Sequence, residues 1–118
     1  MKTPIEFVIR SVGAIDPDTL RGYAERRLAF ALRRFEPHTH RATVRCDDVN
    51  GPKHGVDSCC AITLQLRDGR HIDVKAITAW PFASITLATK RLSAVLRREL
   101  EKKQVLLRRP RRHRFEMA

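Results

Sequence analysis

The chain has 118 residues, 42% hydrophobic and 31% charged, enough for one compact domain and too short for two comfortable ones. Its 24 lysines and arginines against 13 acids leave a formal charge of +11, a balance that draws polyanions by counterion release and steering, and so argues for nucleic acid without naming a sequence. No run approaches the ~20 apolar residues of a membrane span, and Lys2, Glu6 and Arg10 break the one hydrophobic run near the N-terminus, so the expectation is a cytoplasmic protein.

Residues 5–10 alternate, with Ile5, Phe7 and Ile9 on one face and Glu6, Val8 and Arg10 on the other, the period of a half-buried strand. Gly13 then frees the chain to turn. In Ile15-Asp16-Pro17-Asp18 the first aspartate can cap a helix, the proline suits its first position and the second aspartate complements its dipole. The helix should span 17–35, with Leu20, Ala24, Leu28, Ala31, Leu32 and Phe35 as its core stripe, and end at Glu36-Pro37 because a residue before proline resists helical geometry.

Three strand-like runs follow. In 41–47, Ala42, Val44 and Cys46 share a face; in 57–66, Cys60, Ile62, Leu64 and Leu66; in 71–77, Ile72, Val74 and Ala76. Asp68-Gly69 is a hairpin signal, so the last two strands should be antiparallel neighbours. Residues 48–56, carrying Lys53 and His54, read as a longer mobile loop.

Pro81 can open a second helix over 82–103. At about 100° per residue, Ile85, Ala88, Leu92, Val95, Leu96 and Leu100 fall on one side and Lys90, Arg91, Arg97, Arg98 and Lys102 on the other. Pro110 should stop or kink any continuation. Residues 102–118 hold seven basic side chains, Arg108, Arg109, Arg111, Arg112 and Arg114 among them, against one acid. Such a run cannot form a core, so the chain divides into a domain over 1–104 and a basic tail over 105–118, disordered until it meets a partner.

The order β-α-β-β-β-α describes an α+β two-layer domain, a four-stranded sheet with two helices on one face. The other face would show Glu6, Arg10, Thr43, Arg45, Thr63, Gln65, Asp73 and Lys75, polar enough for water.

The first helix repeats the division of the second. Arg26, Arg27, Arg33 and Arg34 lie beside its core stripe, with Tyr23 and Phe30 in the same arc and only Glu25 to relieve the charge. The aromatics could stack on unpaired bases or simply flank the core. Side by side, two such helices form a basic plate that would hold phosphates without reading bases. Structured RNA fits this better than a DNA major groove, since there is no third, recognition helix. His38-x-His40 with Cys46 lacks the second ligand pair a zinc site needs, so no metal or other cofactor is expected. Cys59 and Cys60 point to opposite faces of a strand, which leaves Cys59 open to oxidants. There is no phosphate-cradling glycine loop, nucleophile elbow or facing carboxylate pair, so the chain is not expected to be an enzyme.

Leu20-x-x-Tyr23-x-x-x-Arg27-Leu28 with a closing Phe35, and Phe82-Ala83-Ser84-Ile85 followed by Arg91-Leu92, together resemble the short ribosome hibernation factors, also called ribosomal subunit interface or sigma-54 modulation proteins. The resemblance covers about residues 5–103. It implies a β-α-β-β-β-α fold related to double-stranded RNA-binding domains. It also implies binding to 16S-type rRNA of the small ribosomal subunit, between head and body, where messenger and transfer RNA sit, so that the ribosome is held idle under stress. Arg27 and Arg91 are its matched basic positions; Arg26, Arg33, Arg34, Lys90, Arg97, Arg98 and Lys102 are added from helix geometry. Trp80 stands where the family usually has an acid capping the second helix, and Thr86 where an aspartate usually follows the isoleucine. The long members' dimerisation domain has no counterpart in these 118 residues, so a monomer off the ribosome, without a small-molecule substrate, is expected. A general double-stranded RNA or ribosome-assembly binder is the alternative, and an adaptor for an acidic protein such as a sigma factor a third reading.

Overall fold

The structure, a computed structural model, describes residues 3–10, 15–48 and 57–117; the side chains of residue 48 and of 103–117 fall outside that description. The turn expected at Gly13 and the loop residues Lys53 and His54 also lie outside the described residues.

Four strands, β1 (Ile5–Ile9), β2 (Thr39–Asp48), β3 (Ser58–Leu66) and β4 (His71–Thr78), form one sheet in the order β1-β2-β3-β4. β1 and β2 are parallel, which requires a crossover, and α1 (Pro17–Leu32) supplies it. The other two pairs are antiparallel. With α2 (Pro81–Met117) closing the order, the architecture is the expected two-layer α+β domain. α2 lies over β3 and β4, α1 reaches β1, and the helices meet each other.

Each boundary has a local cause. The Asp16 carboxylate accepts from the Thr19 N–H and hydroxyl, both at 3.0 Å, ahead of Pro17 at the first helical position. The hairpin joining β3 and β4 turns on Gly69, whose φ of 95° only glycine takes without strain. Its neighbour Asp68 accepts from the Arg70 N–H at 3.0 Å.

Alternation places the core as expected: Ala42, Val44, Cys46, Cys60, Ile62, Leu64, Leu66, Ile72 and Ala76 from the sheet meet Leu20, Ala24, Leu28 and Leu32 of α1 and Ile85, Ala88, Leu92 and Leu96 of α2. Cys46 and Cys60 are register partners inside this core. The hydrogen bond to Cys46 and burial push the Cys60 thiol far above the ordinary range, so it stays protonated.

Three expectations are corrected. α1 ends at Leu32 rather than residue 35, and a 3₁₀ segment, Arg33–His38, follows. Pro37 lies inside it; its ring and missing N–H prevent the α-helical spacing from continuing, and the last turns tighten instead. α2 passes Pro110 and runs to Met117, so of the expected stop or kink at Pro110 the stop does not occur, and residues 105–117, expected to be disordered, are helical. Proline's fixed φ is itself helical, and the flanking leucines, lysines and arginines are good helix formers. Cys59, expected to be open to oxidants, is only 6% exposed, because it sits on an interior strand between Asp47 and Ile77.

Leu92 is fully buried between helix and sheet, so Leu92→Ala should cost about 2–5 kcal/mol, and Asp16→Ala, which removes an exposed cap, about 1 kcal/mol. Urea denaturation of the two variants beside the parent checks this ordering.

Candidate nucleic-acid interface

The helices run side by side in the same direction, and their facing flanks make a groove. At one end Tyr23 bridges them. Its ring meets Phe82 edge-on, centroids 5.1 Å apart, and its hydroxyl is 2.5 Å from Thr86 Oγ1. Thr86 gives its own proton to the Phe82 carbonyl at 3.0 Å, so the Tyr23 hydroxyl is the donor. Tyr23 is thus a spacer flanking the core.

Further along, the groove opens to about 450 Å³. Arg27, Arg33 and Arg34 from the first helical arm and Lys90 from α2 all line it, and no carboxylate does. The Arg33 guanidinium lies 5.6 Å from the Phe30 ring centre and that of Arg34 5.7 Å from Phe35. Phe30 is 71% exposed, so it does not flank the core as Tyr23 does. The Nε–H of Arg27 is buried and has no acceptor among the described residues. A buried donor without a partner costs free energy until an outside acceptor arrives. Four like charges, with a donor unmet, suit a polyanion's phosphates. The hydroxyls of Thr89 and Ser93 also line the groove and add neutral hydrogen-bonding groups to its four cations.

Four of the nine helical cations expected from the sequence therefore converge. Arg97, seven residues on from Lys90, shares its flank of α2 and is exposed. Arg26 is exposed and folds back over Gly22. Arg91 turns the other way: its Nη1 donates to the Lys75 carbonyl of the edge strand β4 at 2.5 Å. Arg98 shares that flank, and Lys102 is held 3.6 Å from Glu99. Glu99 also lies 3.6 Å from Arg70, which ties the hairpin to α2, and Arg70 pairs within the hairpin with Asp68 at 3.0 Å. The side chains of Arg108, Arg109, Arg111, Arg112 and Arg114 lie outside the described residues. His38 and His40 are exposed, whereas Cys46 is 2% exposed in the core.

Sequence reasoning passed over Trp80, noting only the missing acid there. It is 56% exposed, its indole 5.7 Å from Phe82. Its place directly before Pro81, where a polar cap is usual, was the available signal.

A family model described as sigma 54 modulation protein / S30EA ribosomal protein matches residues 8–104. Among solved structures the chain is similar to the N-terminal domain of Protein Y from Thermus thermophilus, at 21% identity and a TM-score of 0.63, covering 82% of this chain and 98% of that one. It is also similar to a ribosomal subunit interface protein from Coxiella burnetii, at 15% identity and a TM-score of 0.64, covering 84% and 99%. At these identities the likeness is one of fold. Among curated proteins none matches the sequence.

If the groove is built for phosphate, inorganic phosphate should raise the melting temperature above that in chloride of equal ionic strength. The gain should shrink in an Arg27→Gln, Lys90→Gln double variant, which separates binding from the general stabilisation phosphate gives by exclusion. Differential scanning calorimetry reads both.

Proposed function

The chain belongs to the sigma 54 modulation protein / S30EA ribosomal protein family, a family of ribosome-associated proteins, and from that premise we propose that it is a hibernation factor. It docks its helical layer on small-subunit rRNA in the channel used by messenger and transfer RNA, and blocks translation by occupying that space.

The observation that carries this reading is the groove in which Arg27, Arg33, Arg34 and Lys90 meet without a carboxylate. A fold gains nothing from holding four cations together, since they repel, whereas a phosphate backbone repays them as its counterions are released. Phosphate contacts of this kind set position and orientation without reading bases, which is what obstruction of a channel requires. Arg26 and Arg97 extend the surface. Arg98, Arg91 and Lys102 make a second contact line toward β4, with Arg91 supporting the edge strand as well. Residues 1–104 act as the docking domain, and 105–118, with Arg108, Arg109, Arg111, Arg112 and Arg114, add a further basic contact. The protein works in the cytoplasm without a small-molecule substrate or cofactor and is a monomer off the ribosome.

Co-sedimentation through sucrose gradients at rising salt tests the proposal. The parent should travel with 30S and 70S particles at low salt and dissociate steeply as salt rises, and absence from those fractions at low salt overturns the reading. Arg27→Glu with Lys90→Glu should abolish association, while Arg45→Glu on the exposed sheet face leaves it. Each single Lys or Arg lost from the interface should flatten the salt slope by about 1. Equal affinity for protein-free duplex RNA would favour a general RNA binder instead.

A further inference from the structure

Phosphate binding alone leaves one feature of the helical layer unused. Trp80, the chain's single tryptophan, is 56% exposed and yet firmly held. The Thr78 hydroxyl donates to its carbonyl at 2.6 Å and accepts from its N–H at 3.3 Å. Its indole leans on Phe82 at 40°, and Phe82 is braced by Tyr23. Keeping a large aromatic face rigid and wet does nothing for the core.

Beside it is a cation. Tyr23, Trp80, Phe82 and Lys90 line one hollow of about 420 Å³, and Lys90 lines the arginine groove as well, so the two are joined through its side chain. Phe30 stands exposed in the groove beyond. α2 has no acid in its first turn, so its positive end beside Trp80 is not neutralised from within the helix.

We propose that this hollow stacks an unpaired nucleotide of the docked RNA, its base on the Trp80 indole and its phosphate on Lys90, with the strand leading along the groove toward Arg27 and Phe30. This deepens the RNA-docking reading and rests on it. A rigid π-face next to an ammonium is the pairing by which proteins hold single strands, and it tolerates any base because every base has a face to stack. A duplex keeps those faces inside its own stack. The surface therefore distinguishes unpaired from paired RNA, which a plate of phosphate contacts cannot do. An apolar protein segment would have nothing to set against Lys90 and Arg27.

Because Trp80 is the sole tryptophan, its emission reports on the site directly. Titration with a mixed-sequence single-stranded oligoribonucleotide should quench it, and the same sequence as a duplex should not, even where charge makes the duplex bind. By anisotropy of the labelled single strand, Trp80→Ala should weaken binding roughly tenfold and Trp80→Phe by no more than about threefold. Both variants should melt with the parent because the side chain is exposed. Unquenched emission at saturating single strand, equal quenching by duplex, or Trp80→Ala binding as tightly as Trp80→Phe each overturns the proposal. Gradient sedimentation separates the two readings: co-sedimentation with ribosomes but no quenching by RNA keeps the docking and removes the stacking site. Quenching without co-sedimentation does the reverse.

Discussion

Each helix is divided lengthwise into an apolar stripe and a cationic one, and a single sheet face must bury both apolar stripes. Everything else in the interface follows from that constraint. Leu20, Ala24, Leu28 and Leu32 on one side and Ile85, Ala88, Leu92 and Leu96 on the other reach the same cluster of sheet residues, so the helices have no choice but to lie beside one another. The hydrophobic effect thereby places charges that repel at close quarters. The fold tolerates the repulsion because water screens the outer charges, and the groove's interior remains ready for an anion.

The groove is graded along its length. At the Tyr23 end the helices are locked by a ring contact and a hydroxyl bond to Thr86, a residue standing where an aspartate is usual in the family that the sequence resembles. An aspartate there would add a negative charge beside Lys90. With threonine the bridge is neutral, and the aromatic wall of Tyr23, Phe82 and Trp80 passes directly into the cationic section through Lys90. The opposite flank of α2 is less free: Arg91 serves the edge of β4, and Lys102 shares Glu99 with Arg70. A cation tied to its own fold is a weaker claim on a partner than one without an acceptor.

Strands, helix starts and the hairpin were legible in the sequence because their causes are local. Period-two alternation chose the buried face of β2, β3 and β4; Asp16 with Pro17, Asp68 with Gly69 and Pro81 marked boundaries by capping and φ alone. Helix ends were read less well. Pro37 tightened α1 into a 3₁₀ turn and Pro110 did not stop α2, because proline's effect depends on whether the surrounding chain can spare a hydrogen bond.

Alone, the sequence determined which side chains each helix turns away from its own core, since that depends only on helical period. It did not determine which of them would meet. Arg27, Arg33, Arg34 and Lys90 share a groove and Arg91 does not, because convergence depends on the direction and spacing at which two helices pack. Trp80 became visible for the same reason: only the approach of Phe82 to Tyr23 turns a residue at a helix entrance into a braced aromatic face beside a lysine sixty-odd residues from the tyrosine that supports it.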